Sequence, residues 1–270
     1  MNDLPLLIEP EALEQLLDDP RILVVDLSKP ETYVNGHVPG AVHLDYAQIV
    51  TAAPPVAGLL PGPEAVGKVL SGLGLSADRH VVAYDDEGGG RAARLLWTLE
   101  AYGHRRYSLL NGGLHAWANE GHPLTTDPVL PAPSDYRLGY VGEVVADRDY
   151  ILARLGRPEV RLLDTRTPGE YAGTDVRAAQ AGHIPGAVNL NWTDCMDPSR
   201  NLRLKPRAEL EALLAQRGLS AEQEVIVYCQ THHRSAHTWF VLKYLGYARA
   251  KGYPGAWSDW GNRTDTPVER

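Results

Sequence analysis

Cys229 ends an apolar run, Val225-Ile226-Val227-Tyr228, and heads the loop Cys229-Gln230-Thr231-His232-His233-Arg234-Ser235. A helical pattern follows from Thr238 to Leu245. A cysteine between a strand end and a helix N-terminus is placed to become a thiolate. Successive N–H groups in such a loop form an anion-binding concavity, and the helix dipole adds positive potential. Both lower the thiol pKa from its free value of about 8.5, and the thiolate is the nucleophile. The local charge agrees: no Asp or Glu occurs from Val225 through Ser258, whereas Arg234, Lys243, Arg249 and Lys251 do. The expected chemistry is nucleophilic attack by Cys229 in a positive loop, with Gln230, Thr231, His232, His233 and Arg234 lining the substrate pocket.

Other readings of these residues are weaker. A free cysteine at the end of a buried strand can be a small apolar filler, but the basic loop argues against that. Zinc held by Cys229, His232, His233 and His237 lacks a matching ligand pair elsewhere, so no metal is expected. Thioredoxin-like exchange needs Cys-x-x-Cys, which is absent. Cys195, in Trp192-Thr193-Asp194-Cys195-Met196, has no basic neighbour in that stretch and reads as structural.

The elements that position the loop occur twice. His37-Val38-Pro39-Gly40-Ala41 returns as His183-Ile184-Pro185-Gly186-Ala187, and Leu23-Val24-Val25-Asp26 answers Leu162-Leu163-Asp164. Downstream, Leu73-Gly74-Leu75-Ser76 matches Arg217-Gly218-Leu219-Ser220, and the strand pattern Val81 to Tyr84 matches Val225 to Tyr228. Gly112-Gly113-Leu114-His115-Ala116-Trp117 parallels Gly255-Ala256-Trp257-Ser258-Asp259-Trp260. Ala208 to Leu214 reads as a helix closed by Gly218 in the left-handed conformation. Strands alternating with helices predict an α/β fold, two tandem domains each with a mainly parallel sheet and helices on both faces. Ligands then bind beyond the carboxyl ends of the strands. The prolines at 128, 131 and 133 exclude helix, so the expected division is 1–127, a linker at 128–140, and 141–270.

The first copy serves as an internal control. Where Cys229 stands it has Asp85, followed by Asp86, Glu87 and Gly88-Gly89-Gly90. Three acids there disfavour a thiolate or an anionic substrate. Its loop also has five residues before Arg91, against four between Cys229 and Arg234. The longer loop is expected to misplace the N–H ring, and domain 1–127 to be catalytically inactive.

Composition bounds the partners. The chain has 270 residues, 44% of them hydrophobic, and a net charge of -8, which disfavours nucleic acid and anionic membranes. No apolar run approaches the roughly 20 residues of a membrane helix. The start, Met1-Asn2-Asp3-Leu4, lacks a secretion signal's basic and apolar parts. Two cysteines make no disulfide framework, so a cytoplasmic monomer is expected.

Together the repeated His-(Ile/Val)-Pro-Gly-Ala, Leu163-Asp164-Thr165-Arg166, the Cys-headed loop and Gly-Ala-Trp-Ser-Asp-Trp resemble the signatures of the rhodanese family of sulfurtransferases. The resemblance covers nearly the whole chain and is closest to tandem members with one inactive and one active copy. It implies transfer of sulfane sulfur from thiosulfate to a thiophilic acceptor, cyanide in assay, through a Cys229 persulfide and without a cofactor. The partners implied are a small anionic donor and an acceptor that is a protein or a low-molecular-weight thiol. Arg166 matches the family arginine that meets the donor, where the first copy has Ser28, and Arg177 is a further donor-binding candidate. The loop Cys-Gln-Thr-His-His-Arg leaves 3-mercaptopyruvate as the alternative donor. Phosphatases and arsenate reductases of related fold place five residues between Cys and Arg, so the shorter loop here favours sulfur chemistry.

Overall fold

The computed structural model describes residues 4–270, so Met1, Asn2 and Asp3, on which the expectation about a secretion signal rests, lie outside the described residues. The chain forms two compact units: residues 4–49, 61–141 and 196–204, and residues 50–60, 142–195 and 205–270. The first unit's sheet contains β1 (Leu7–Ile8), β2 (Ile22–Asp26), β3 (Val42–His43), β4 (His80–Tyr84) and β5 (Tyr107–Leu110). Their order is β1-β5-β4-β2-β3, with every pairing parallel. In the second unit β6 (Val160–Asp164), β7 (Val188–Asn189), β8 (Glu224–Tyr228) and β9 (Ala250–Gly252) run in the order β9-β8-β6-β7, again parallel throughout. Every residue of β4 is buried, as are Val225 to Tyr228 of β8, so both faces of each central strand are covered. Among the described residues no helix is long and apolar enough to cross a membrane.

The repeated signature is a structural device. Asp26 pairs with Tyr84 across β2 and β4 as Asp164 pairs with Tyr228 across β6 and β8. The Tyr84 hydroxyl accepts the Val38 N–H at 3.0 Å, and the Tyr228 hydroxyl accepts that of Ile184 at 3.1 Å. His37 stacks on Tyr33 and His183 on Tyr171, with ring centroids 3.8 and 3.7 Å apart. The same tyrosines donate to the Ala41 and Ala187 carbonyls. His-(Val/Ile)-Pro-Gly-Ala therefore satisfies buried backbone groups and clamps the turn that feeds β3 or β7. It holds no reacting group.

The units differ from the expected ranges in two segments. The hairpin Thr51–Ala53/Val56–Leu59, from the first repeat, belongs to the second unit. None of its strand residues is fully buried, so it has no core of its own and needs a neighbour. It lies against the Ala256–Trp260 helix, where Ala57 N–H donates to Ser258 Oγ at 3.0 Å. Conversely, the hairpin Met196–Asp197/Arg203–Leu204, from the second repeat, belongs to the first unit. Arg203 there pairs with Glu9 (3.0 Å) and Glu120, and Leu204 N–H donates to Asn111. The stretch 128–140 has neither helix nor strand, and Ser134 N–H and the Tyr136 carbonyl both bond Ser71. It is fastened to the first unit.

A third difference concerns the helix after the loop. It begins at Arg234 rather than Thr238 and runs to Tyr244. Ser235 through Leu242 are all buried, so no polar face marks its start in the sequence.

Candidate active site

Cys229 follows directly on β8, and its carbonyl accepts the Trp257 N–H at 3.0 Å. Gln230 likewise accepts Ser258 N–H at 3.0 Å, so the first turn of the Ala256–Trp260 helix holds the loop's outer carbonyls. This leaves the loop N–H groups pointing inward. His232 takes a left-handed φ of 54°, which closes the loop onto the Arg234–Tyr244 helix. Gly58 of the hairpin touches the loop from outside, and a Cβ there would overlap the Thr231 carbonyl.

The thiol of Cys229 is 1% exposed. Burial opposes its ionisation and is the largest single effect. The Arg234 charge, the Ser235 hydroxyl and the backbone N–H groups of Ser235 and Thr231 outweigh it, and hold the thiol below its ordinary value. Ser235 is the second residue of its helix, so its N–H is one of the donors that a helix start leaves unpaired. Cys195 shows the opposite balance: burial, helped by the Asp194 charge beside it, pushes its thiol up to about 12. One cysteine is activated and the other is inert.

Arg234 is oriented by Glu170. Nη1 and Nη2 donate to separate oxygens of this carboxylate at 2.7 and 2.9 Å, a two-point fork that fixes the guanidinium plane. Burial resists the Arg234 charge, yet Glu170 and Cys229 raise its pKa above the ordinary arginine value. Burial also works against the Glu170 carboxylate, and Arg234 with Thr167 overcomes it, bringing Glu170 down to about 2. Glu170 closes a capping box with Thr167 at the start of the Pro168–Ala172 helix.

The other expected site residues are placed as follows. Gln230 Nε2 donates to the Arg177 carbonyl at 3.2 Å, which brings the 173–177 insertion beside the loop. The Arg177 side chain is exposed and paired with Asp175 at 3.0 Å. Thr231 and His233 are half-buried, and the His233 ring lies 6.0 Å from that of Trp192. Two expectations require correction. His232 is fully buried rather than lining a donor pocket, and its Nδ1 sits 2.7 Å from Ser235 Oγ. Arg166 is 1% exposed and commits its charge internally. Its Nε bonds both Asp164 oxygens at 3.0 Å, and Nη2 reaches Asp164 Oδ2 at 2.5 Å and the Gly182 carbonyl at 2.7 Å. Trp257 covers it, with the ring centroid 4.4 Å from Cζ. The fully buried Asp164 demands a counter-charge, and Arg166 supplies it.

Glu170 and Ser235 were not legible as site residues. A signal existed in the repeat. Thr32 stands where the second copy has Glu170, and Arg91-Ala92 stands where it has Arg234-Ser235. A stretch of 34 residues without an acid also leaves Arg234 to find its counter-ion on another element.

The control loop turns out to be formed rather than misplaced. Asp85 accepts from the N–H groups of Glu87 (3.0 Å), Gly89 (2.7 Å) and Ala92 (3.0 Å). The ring of donors thus exists in the first copy and is filled by the protein's own carboxylate. Burial and the Glu87 charge nonetheless raise the Asp85 pKa. Arg91 is taken up by Asp86 (3.2 Å) and Glu87 (3.5 Å). An Asp85→Cys change in a Cys229→Ser background is therefore expected to create no sulfur-accepting centre. Two carboxylates stay beside the thiol and occupy the arginine that would activate it. Alkylation rate against pH checks this, since the new thiol should react only at higher pH than Cys229 does in the parent. A low-pKa thiol at position 85 that takes up sulfur would overturn the argument.

Comparison with known proteins agrees with these features. The rhodanese-like domain family matches residues 9–120 and again 147–263. A thiosulfate sulfurtransferase of Azotobacter vinelandii is 45% identical over 98% of this chain and 97% of its own. One of Pseudomonas aeruginosa is 45% identical over 99% and 98%. The crystal structure of a 3-mercaptopyruvate sulfotransferase from Escherichia coli superposes with a TM-score of 0.82 at 28% identity, covering 94% of this chain and 99% of that one. With two matched domains and an activated cysteine in the second, the chain belongs to the rhodanese family.

Proposed function

We propose that this chain is a transferase that moves sulfane sulfur from thiosulfate to a thiophilic acceptor through a persulfide on Cys229. The observation that carries this reading is the Cys229 thiol, buried and yet held below its ordinary value by Arg234, Ser235 and loop N–H groups. The relatives named as thiosulfate sulfurtransferases support the choice of donor.

In the first step the Cys229 thiolate attacks the outer sulfur of thiosulfate. A Cys229 S–S bond forms, the donor's S–S bond breaks, and sulfite leaves with its electron pair. The terminal persulfide sulfur carries the negative charge that the thiolate carried before, so the same N–H ring and Arg234 serve both states. In the second step the acceptor's lone pair attacks that terminal sulfur, and Cys229 leaves as the thiolate; with cyanide the product is thiocyanate. Each step is one displacement, and no cofactor is needed. The donor's sulfonate end is assigned to the loop residues Gln230, Thr231 and His233 and to Arg177, whose carbonyl Gln230 bonds beside the loop. The acceptor in the cell is a small thiol or a protein that offers one. Two unpaired cysteines suit a reducing, cytoplasmic setting.

Thiocyanate formation with each donor in turn tests the reading. Thiosulfate is expected to give a kcat/KM at least roughly tenfold above that of 3-mercaptopyruvate, a difference of about 1.4 kcal/mol in transition-state binding. A preference for 3-mercaptopyruvate would move the chain to the alternative donor, and inactivity with both would refute sulfur transfer.

A further inference from the structure

Each unit has a groove at the amino ends of its central strands, built from matching residues. Leu17, Ile22, Pro39 and Gly40 line the first, and Leu155, Val160, Pro185 and Gly186 line the second. The first groove is filled by its own chain. Thr125 pairs with His37, as Glu269 pairs with His183. The chain after Thr125 then lays Val129, Pro131 and Ala132 along the groove, and Ser134 N–H donates to the Ser71 carbonyl at 2.9 Å. A Cβ placed on Gly74 would meet the Ala132 carbonyl oxygen at 2.8 Å. In the second unit, a Cβ on the matching Gly218 would meet only Arg161 Nη2, at 3.7 Å. Among the described residues no segment takes the place of 129–132 there, and a cavity of about 340 Å³ is left.

The walls differ in charge as well. Arg154, Arg157 and Arg161 line the open groove, and no carboxylate does. The first copy has Leu16, Asp19 and Leu23 at those positions. In a chain of net charge -8 this cluster is a local reversal of sign. Arg154 is held in place, with Cζ 3.5 Å from the Tyr150 ring centroid and Nε 3.8 Å from Glu224. The side chains of Arg157 and Arg161 have no hydrogen bond or ion pair among the described residues, and Arg161 Nε is buried without a partner. An arginine that only keeps a groove wet leaves its donors in water. A buried, unpaired guanidinium N–H calls for an acceptor.

We propose that this groove docks a protein partner through an extended, proline-bearing apolar segment whose carboxylate pairs with Arg161. The segment does for the second unit what residues 129–132 do for the first. Its apolar side chains cover Leu155, Val160 and Pro185, and its prolines, with φ already fixed, lose little conformational freedom on binding. A carboxylate at the step of Ala132 falls beside Gly218 and Arg161. The groove lies at the other end of the sheet from Cys229, which follows the carboxyl end of β8. The inference therefore goes beyond sulfur transfer and does not rest on it.

The test uses the full chain and a fluorescent peptide with the sequence of residues 125–134, Thr-Thr-Asp-Pro-Val-Leu-Pro-Ala-Pro-Ser, followed by anisotropy. A second peptide carries Ala132→Glu, and a third is a scramble of the second. The Ala132→Glu peptide is expected to bind about tenfold tighter than the first, the scale of one charge-assisted hydrogen bond, and the scramble should not compete. Arg161→Leu, which installs the residue the first copy carries at Leu23, should erase that preference and keep the unmodified peptide bound. Arg157→Ala, at an exposed position, should weaken the glutamate peptide by about threefold. Thiocyanate formation from thiosulfate should be the same with the groove saturated. No binding of the glutamate peptide up to about 1 mM would overturn the proposal. So would equal binding by the scramble, which would reduce the groove to a site for any anion, or a preference that survives Arg161→Leu. Competition between peptide and thiosulfate would place the peptide at the Cys229 loop and overturn it too. A parent that transfers no sulfur would refute the proposed reaction and leave the peptide result standing.

Discussion

Replacing Cys229 by serine is expected to lower thiosulfate-to-cyanide transfer by roughly 10³-fold or more, to the limit of the assay. Replacing Cys195 by serine should leave the rate within about twofold of the parent. The contrast follows from surroundings and not from residue type. Both thiols are buried, at 1% exposure each. Around Cys229 the Arg234 guanidinium, the Ser235 hydroxyl and two backbone N–H groups oppose the burial cost. Around Cys195 burial and the Asp194 charge act together and push its thiol up to about 12. The direction in pH follows. A lowered Cys229 pKa keeps the reactive form present to lower pH, so the acidic limb of the rate profile should lie below that of an ordinary thiol. The Cys195→Ser variant should keep that limb where it is. Comparable losses in two folded variants would contradict the assignment.

Arg166→Ala is expected to act on stability first. It leaves Asp164 buried at 0% exposure without its bidentate partner, and removing one member of a buried pair costs about 3–5 kcal/mol. Against a total of roughly 5–15 kcal/mol this is enough to lower the yield of folded protein at growth temperature. Urea unfolding followed by tryptophan fluorescence measures it. Arg166→Lys should recover only part, because an ammonium cannot reproduce contacts to two Asp164 oxygens and the Gly182 carbonyl together. Per folded molecule, the KM for thiosulfate should change by less than about threefold. A KM raised about tenfold or more in a variant of unchanged stability would return Arg166 to the donor site.

Much of this was open to reading in the residues. The duplication, the strands ending at Tyr84 and Tyr228, and the Arg207–Ala215 helix carry local signals, as does the activated cysteine at a strand end. Those patterns are short-range: β-branched runs, a 3.6-residue period, a glycine after a helix. What was hidden depends on pairs remote in sequence. Arg234 and Glu170 are 64 residues apart, and Ala57 and Ser258 are 201 apart. The two hairpins change units because their partners are remote in sequence: the first lies on the Ala256–Trp260 helix, and Arg203 and Leu204 of the second bond Glu9, Glu120 and Asn111. Arg166 misled for a related reason. Its position after a strand end suits a ligand, but it is held by the fully buried Asp164 carboxylate and covered by Trp257. The start of the Arg234–Tyr244 helix was hidden by full burial, which erases the amphipathic period.

The central claim is that the second loop makes Cys229, and no other group, the sulfur carrier. The most direct measurement is the intact mass of the reduced protein after thiosulfate treatment and removal of excess donor, followed by peptide mapping. The account predicts a gain of one sulfur atom, carried by the peptide containing Cys229, discharged by cyanide and absent in Cys229→Ser. Sulfur on the Cys195 peptide, or no gain in mass with the protein folded, would contradict it.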